Sequence, residues 1–122
     1  MKKNKIFLAG SSGYLGKILH DRLKSDFFLI CSHRKKKKII DLKNKKKLKE
    51  LIKNKKIEIV LNLVGGQNEL SKKKIIIENS NLINICNKYN IKVIFFSSSS
   101  IYGSSKILST ENNPPQPFDS YT

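Results

Sequence analysis

The chain has 122 residues, 39% of them hydrophobic, with 25 Lys or Arg against 9 Asp or Glu and a formal net charge of +16. That length holds one modest core and excludes a large two-domain enzyme, and no stretch approaches the roughly 20 apolar residues of a membrane span. The charge by itself would suggest a nucleic-acid partner. However, only Arg22 and Arg34 are arginine, the lysines accompany many Asn and Ile residues with A- and T-rich codons, and no aromatic residues interleave with them. A solvated lysine surface is therefore the expectation, and nucleic-acid binding is not.

Met1 to Lys5 followed by Ile6-Phe7-Leu8-Ala9 imitates a secretory leader, but the apolar run stops at Gly10, short of the roughly 7–15 residues a leader core needs. Cys31 and Cys86 stand alone, without metal or CxxC spacing. They read as buried thiols of a cytoplasmic protein.

Residues 5–9 form a continuous apolar run suited to a strand covered on both faces. A glycine turn follows, and Leu15, Ile18, Leu19 and Leu23 then mark one face of a helix from Tyr14 to about Lys24. Phe27 to Cys31 reads as a second buried strand, His33 to Lys38 as a basic loop, and Ile39-Ile40 as a very short third strand closed by Asp41-Leu42. Lys43 to Lys55 carries Leu48, Leu51 and Ile52 on one helical stripe. Ile57 to Val64 is the clearest strand and ends at Gly65-Gly66, where the missing side chains let the backbone approach whatever lies above the strand end. A helix over residues 70–89, with apolar contacts from Leu82, Ile83 and Ile85, leads to a fifth strand, Ile91 to Phe96. Four serines and Ile101-Tyr102-Gly103 come next, and from Ser109 a polar, proline-rich loop runs on. Strands alternating with helices imply right-handed crossovers. The expected fold is therefore α/β, an incomplete doubly wound parallel sheet of about five strands with flanking helices.

The chemistry is concentrated in Gly10-Ser11-Ser12-Gly13-Tyr14-Leu15-Gly16. A pyrophosphate needs donors for its negative charge, and a helix N-terminus offers unpaired N–H groups and a favourable dipole. Gly10 permits the tight turn, Gly13 admits the phosphate to the backbone, and Gly16 lets the helix pack on the strand, with Ser12, Tyr14 and Leu15 completing the cradle. The spacing is GxxGxxG, where many dehydrogenases have GxGxxG. At the end of the second strand, where an NAD enzyme places an acidic residue, Ser32-His33-Arg34 stand instead. Arg34 is positioned either to grip a 2′-phosphate, which favours NADP over NAD, or to serve as a surface residue of the basic loop. Asp41 either accepts from an adenine amino group or caps the next helix.

GxxGxxG, Asp41-Leu42, Leu63-Val64-Gly65, Phe95 to Gly103 and Pro117-x-x-x-Tyr121 together resemble the extended short-chain dehydrogenase/reductases, the NAD(P)-dependent sugar-nucleotide epimerase, dehydratase and reductase group. The resemblance spans essentially the whole chain. It implies a Rossmann-type NAD(P)-binding domain over residues 1–122, a nucleotide-sugar substrate and a homodimer in the complete enzyme. It also implies that Ser98, or Ser99 if the loop shifts by one, bonds the reacting sugar hydroxyl, and that Tyr121 is the base of a YxxxK motif. The lysine of that motif falls beyond Thr122. The expectation is an N-terminal part of such an enzyme, without its substrate lobe and inactive alone; the alternative is a non-catalytic NAD(P)-binding regulatory module. Tyr102 comes too early to be the base and reads as packing, and His20 and His33 have no partner at catalytic spacing.

Overall fold

The computed structural model describes residues 3–32, 40–65, 69–103 and 108–117, with the side chains of residues 69–72 outside that description. Four strands are present among the described residues: β1 (Lys5–Ala9), β2 (Phe28–Cys31), β3 (Ile59–Asn62) and β4 (Lys92–Phe95). Between them run α1 (Tyr14–Leu23), α2 (Lys45–Lys55) and α3 (Glu69–Lys88), and a 3-10 turn, Ser99–Tyr102, follows β4. The sheet order is β2-β1-β3-β4 and every pairing is parallel, with Phe7 opposite Ile30 on one side and Val60 on the other. No described helix is long and apolar enough to cross a membrane.

Side-chain alternation along β1 divides the core into two layers. Phe7 and Ala9 join Val60 beneath Leu48 and Ile52 of α2 and Leu82 and Cys86 of α3. Ile6 and Leu8 join Leu61 on the opposite face, with Leu23 and Phe27 packed against them. The unbroken apolar run of β1 thus serves both layers, as expected of a central parallel strand. The second layer is only partly covered. Leu15 and Ile18 remain 44% and 42% exposed despite lying on the predicted apolar face of α1, and Ile94 on the edge strand β4 is exposed as well.

Local chemistry explains the helix boundaries. Asn44 caps α2, its Oδ1 accepting from Lys47 N–H at 3.0 Å, and Lys56 closes the helix in the left-handed conformation with its N–H returned to Ile52 and Lys53 carbonyls. Asp41 is therefore not the helix cap. Its Oδ1 accepts from Lys43 N–H at 3.0 Å, an Asx turn that lies ahead of the cap. Ile40 lies outside any strand and instead packs as a loop residue against the larger core cluster, while Ile39 is outside the described residues. A two-residue segment has too few backbone groups to hold a ladder of its own, and burial of the side chain sufficed. Ile83 is exposed because the helical period that turns Leu82 and Cys86 inward rotates Ile83 away from the sheet.

Candidate functional site

The chain leaves β1 toward β2 on one side and reaches β3 on the other, so the strand order reverses between β1 and β3. A crevice at the carboxyl ends of the strands is the natural ligand position in such a sheet. The structure places a cleft of about 700 Å³ there, bounded by the glycine turn, the Asp41–Lys43 segment, the β3 end and the α3 residues Lys74 and Glu78.

The glycine turn is built by close approach. Gly10 has φ +85°, and a Cβ on it would lie 2.9 Å from both the carbonyl carbon and the oxygen of Leu63. Gly16 is buried, and a Cβ there would lie 2.6 Å from Ser11 Cα, so only a glycine lets α1 start this close to the turn. Gly13 differs from both: its φ is −74°, and a Cβ would meet only the Gly10 oxygen, at 3.4 Å. Its side faces open space. Gly13 is also the N-cap of α1 and no side chain caps the helix, so the first-turn amides keep their donor capacity and the positive end of the dipole. This arrangement can hold an anionic group with two or more oxygens, and its donor set and empty Cβ position fit a pyrophosphate.

Three polar side chains fix the rim. The Ser11 hydroxyl is buried and donates to Ser32 O at 2.8 Å, tying the turn to the end of β2. Asn62, 2% exposed, donates from Nδ2 to Asn79 Oδ1 at 2.9 Å and accepts at Oδ1 from Val64 N–H at 3.1 Å, which shapes the chain above β3. Asn81 donates to Leu42 O and Lys43 O at 3.1 and 3.2 Å and holds the Asp41–Lys43 segment against α3. None of these residues stood out in the sequence. Asn62 interrupts an apolar strand, whereas Ser11 and Asn81 sit among polar neighbours and carry no local signal, and the partners lie up to 39 positions away.

Of the residues singled out beforehand, Gly10, Ser12, Gly13, Asp41, Leu42, Leu63, Val64 and Gly65 come together around the cleft. Tyr14, Leu15 and Gly16 occupy the first turn of α1, with Tyr14 and Leu15 exposed and Gly16 buried beneath the turn. Ser98 lies on the same edge of the parallel sheet, beyond β4, but not in the cleft wall. It caps the 3-10 turn, its Oγ 3.3 Å from Ser100 N and 2.7 Å from Ser100 Oγ, and Ser99 is exposed. Tyr102 is half-buried at the end of that turn. Arg34 and Tyr121 lie outside the described residues. His20 is on α1 beside exposed Asp21, at 3.4 Å. Among the described residues no group of His, Cys, Asp and Glu side chains is placed to hold a metal ion. Burial pushes the Cys86 thiol up to about 11 and raises that of Cys31, which the Ser11 hydroxyl partly offsets, so both favour the protonated form.

The same fold occurs in solved enzymes. The dTDP-glucose 4,6-dehydratase of Bacillus anthracis in complex with NAD superposes with a TM-score of 0.83 at 19% identity, over 97% of this chain and 45% of that one. The UDP-glucose 4-epimerase of Thermotoga maritima with UDP-glucose gives 0.82 at 20% identity, over 96% and 46%. The L-threonine dehydrogenase of Clostridium difficile gives 0.80 at 19% identity, over 99% and 45%. The chain thus spans less than half the length of these structures. No curated protein matches it by sequence. The model of the NAD dependent epimerase/dehydratase family matches residues 6–122, and the chain belongs to that family.

Proposed function

We propose that this chain is the NAD(P)-binding part of an oxidoreductase or epimerase/dehydratase acting on a nucleotide-linked sugar. The observation that carries the reading is the uncapped N-terminus of α1 at Gly13, opening into the cleft at the reversal of strand order. In this reading Gly10, Ser12, Gly13, Tyr14, Leu15 and Gly16 bind the pyrophosphate. Asp41 and Leu42 border the adenine, and Leu63, Val64 and Gly65 let the dinucleotide pass over β3. When bound, the nicotinamide supplies the hydride acceptor or donor. Ser98 positions the reacting hydroxyl of the sugar, and Tyr121 takes its proton. An isolated tyrosine, with a pKa of about 10, needs a neighbouring cation to do so near neutral pH. These 122 residues by themselves are therefore proposed to hold the dinucleotide without completing turnover.

Arg34 supports a preference for NADP through the 2′-phosphate. Nucleotide-linked sugars are the substrates named with two of the structural relatives above, the dehydratase and the epimerase. Titration with NADH and NADPH, followed by cofactor fluorescence, tests the reading; the chain contains no tryptophan to interfere. Saturable binding in the micromolar range, tighter for NADPH, is the expected result. Absence of saturation by either below about 1 mM, equivalent to about −4 kcal/mol, would overturn it.

A further inference from the structure

The lysines are not spread evenly along the chain. Residues 43–56 hold eight of its 25 Lys or Arg residues and one of its nine acids, Glu50. Codons rich in A and T would scatter lysines throughout, so they account for the number and not for this clustering. All eight are exposed. Leu48 and Ile52 turn into the core, and the helical period carries Lys46, Lys49 and Lys53 to one outward side of α2, with Lys53 Nζ 5.9 Å from the Tyr89 ring centroid. This arrangement works against the helix itself. Lys46, Lys49 and Lys53 repel one another at spacings of three and four, and only Glu50 offsets them. The first turn adds three lysines and no acid at the positive end of the dipole. The cleft does not call for this charge, since no α2 residue lines it. An anionic surface against α2 would relieve both costs.

We propose that this face of α2 docks on an anionic phospholipid bilayer. Residues 43–56 contain no arginine and no aromatic residue, so they offer neither a forked donor for a base edge nor a ring on which a base stacks. Lysine is also depleted where proteins meet. Leu48 and Ile52 are committed to the core, so they do not insert into lipid and the contact is electrostatic. What remains is a dense set of flexible ammonium groups. A leaflet of anionic headgroups attracts such a set, each lysine near the surface strengthening attachment by about 5-fold. Because the cleft lies off this face, the docked chain keeps it open.

The test sediments the full chain with vesicles of equimolar phosphatidylserine and phosphatidylcholine, with phosphatidylcholine vesicles as the neutral control, and measures binding of a duplex oligonucleotide in parallel. The wild-type chain is expected to bind the anionic vesicles alone, and binding should fall more than about 10-fold on raising NaCl from about 0.05 to 0.5 M. Combined Lys46→Gln, Lys49→Gln and Lys53→Gln should weaken it on the order of 100-fold. Lys17→Gln, Lys24→Gln and Lys92→Gln together remove the same charge from the side of the sheet where Leu23 packs, and should cost less than about 5-fold. A readout that needs no variant is acetylation of surface amines, mapped by mass spectrometry: vesicles should protect Lys46, Lys49 and Lys53 and leave Lys17 and Lys92 reactive. No binding to anionic vesicles at low salt overturns the proposal, as does equal binding to neutral ones. Equal loss in the two triple variants, or protection of Lys17 and Lys92 instead, assigns the attraction to net charge and overturns the docking face. Tighter binding to the duplex than to vesicles, lost in the α2 variant, makes the partner a nucleic acid and overturns the bilayer.

Discussion

The glycines of the turn meet different neighbours, and alanine substitution separates their roles. At Gly10 an alanine must adopt φ +85° and place its Cβ 2.9 Å from two Leu63 backbone atoms. The left-handed conformation costs about 1–2 kcal/mol and the overlap with rigid backbone about 1–3 kcal/mol, so Gly10→Ala should lose about 2–5 kcal/mol. That is a large share of the roughly 5–15 kcal/mol that stabilises a typical domain. At Gly13 the backbone is ordinary and the nearest atom to a Cβ is 3.4 Å away. Alanine is a poorer N-cap than glycine, but it restricts the unfolded chain, and the two effects leave Gly13→Ala within about 1 kcal/mol of wild type. Its methyl group nevertheless occupies the space above the helix N-terminus where a phosphate must approach. Urea unfolding and NADH titration of both variants should therefore diverge: Gly10→Ala shifts the unfolding midpoint down by about 1–2 M, and Gly13→Ala unfolds almost as wild type while binding at least 10-fold more weakly. Wild-type affinity in Gly13→Ala, or equal destabilisation by the two substitutions, would refute the assignment.

Further predictions concern the rim, the thiols and the cofactor's phosphate. Asn62→Ala leaves Val64 N–H and Asn79 without their partner and should cost about 1–3 kcal/mol in urea unfolding; a neutral outcome would mean that Asn62 does not hold the β3 end. Cys86 has its thiol raised from 9.0 to about 11 in the folded chain, so its contribution is complete below pH 9 and fades as pH rises through about 11. The stability advantage of wild type over Cys86→Ala should shrink across that interval in pH-dependent unfolding, and an advantage that grows instead would contradict the burial argument. Arg34→Ala should weaken NADPH binding by about 10-fold or more, as for a lost charge-assisted contact, and leave NADH nearly unchanged; equal loss for both would remove Arg34 from the 2′-phosphate.

Much of this architecture is legible along the chain because its signals are local. The run Ile6 to Ala9, the glycines at 10, 13 and 16, and the stripe Leu48, Leu51, Ile52 each encode their element within a few residues, and strand, turn and helix appear where those patterns place them. Features set by distant partners are not legible in this way. Asn62 reads as a polar interruption of a strand until Asn79 is seen beside it, and Asn81 as one more polar helix residue until its bonds to Leu42 and Lys43 are known. Asp41 and Asn44 compete as caps on equal chemical terms, and only backbone geometry gives the position to Asn44. Periodicity gave α1 an apolar face at Leu15 and Ile18, yet burial depends on what lies opposite, and within the described chain nothing covers them fully. The same limit applies to Glu78, which in sequence is one acid in a lysine-rich helix and in three dimensions is a wall of the cleft.

In the proposed reading the start of α1 is the seat of a dinucleotide's pyrophosphate. Amide chemical-shift mapping on uniformly 15N-labelled chain, titrated with NADH, reads it most directly. The predicted result is that the largest shifts fall on the backbone N–H groups of Gly13, Tyr14, Leu15 and Gly16, with a second set at Val64 and Gly65, all saturating together. Shifts confined to the lysine-bearing surface of α2, or dispersed without saturation while the turn amides stay in place, would contradict the account.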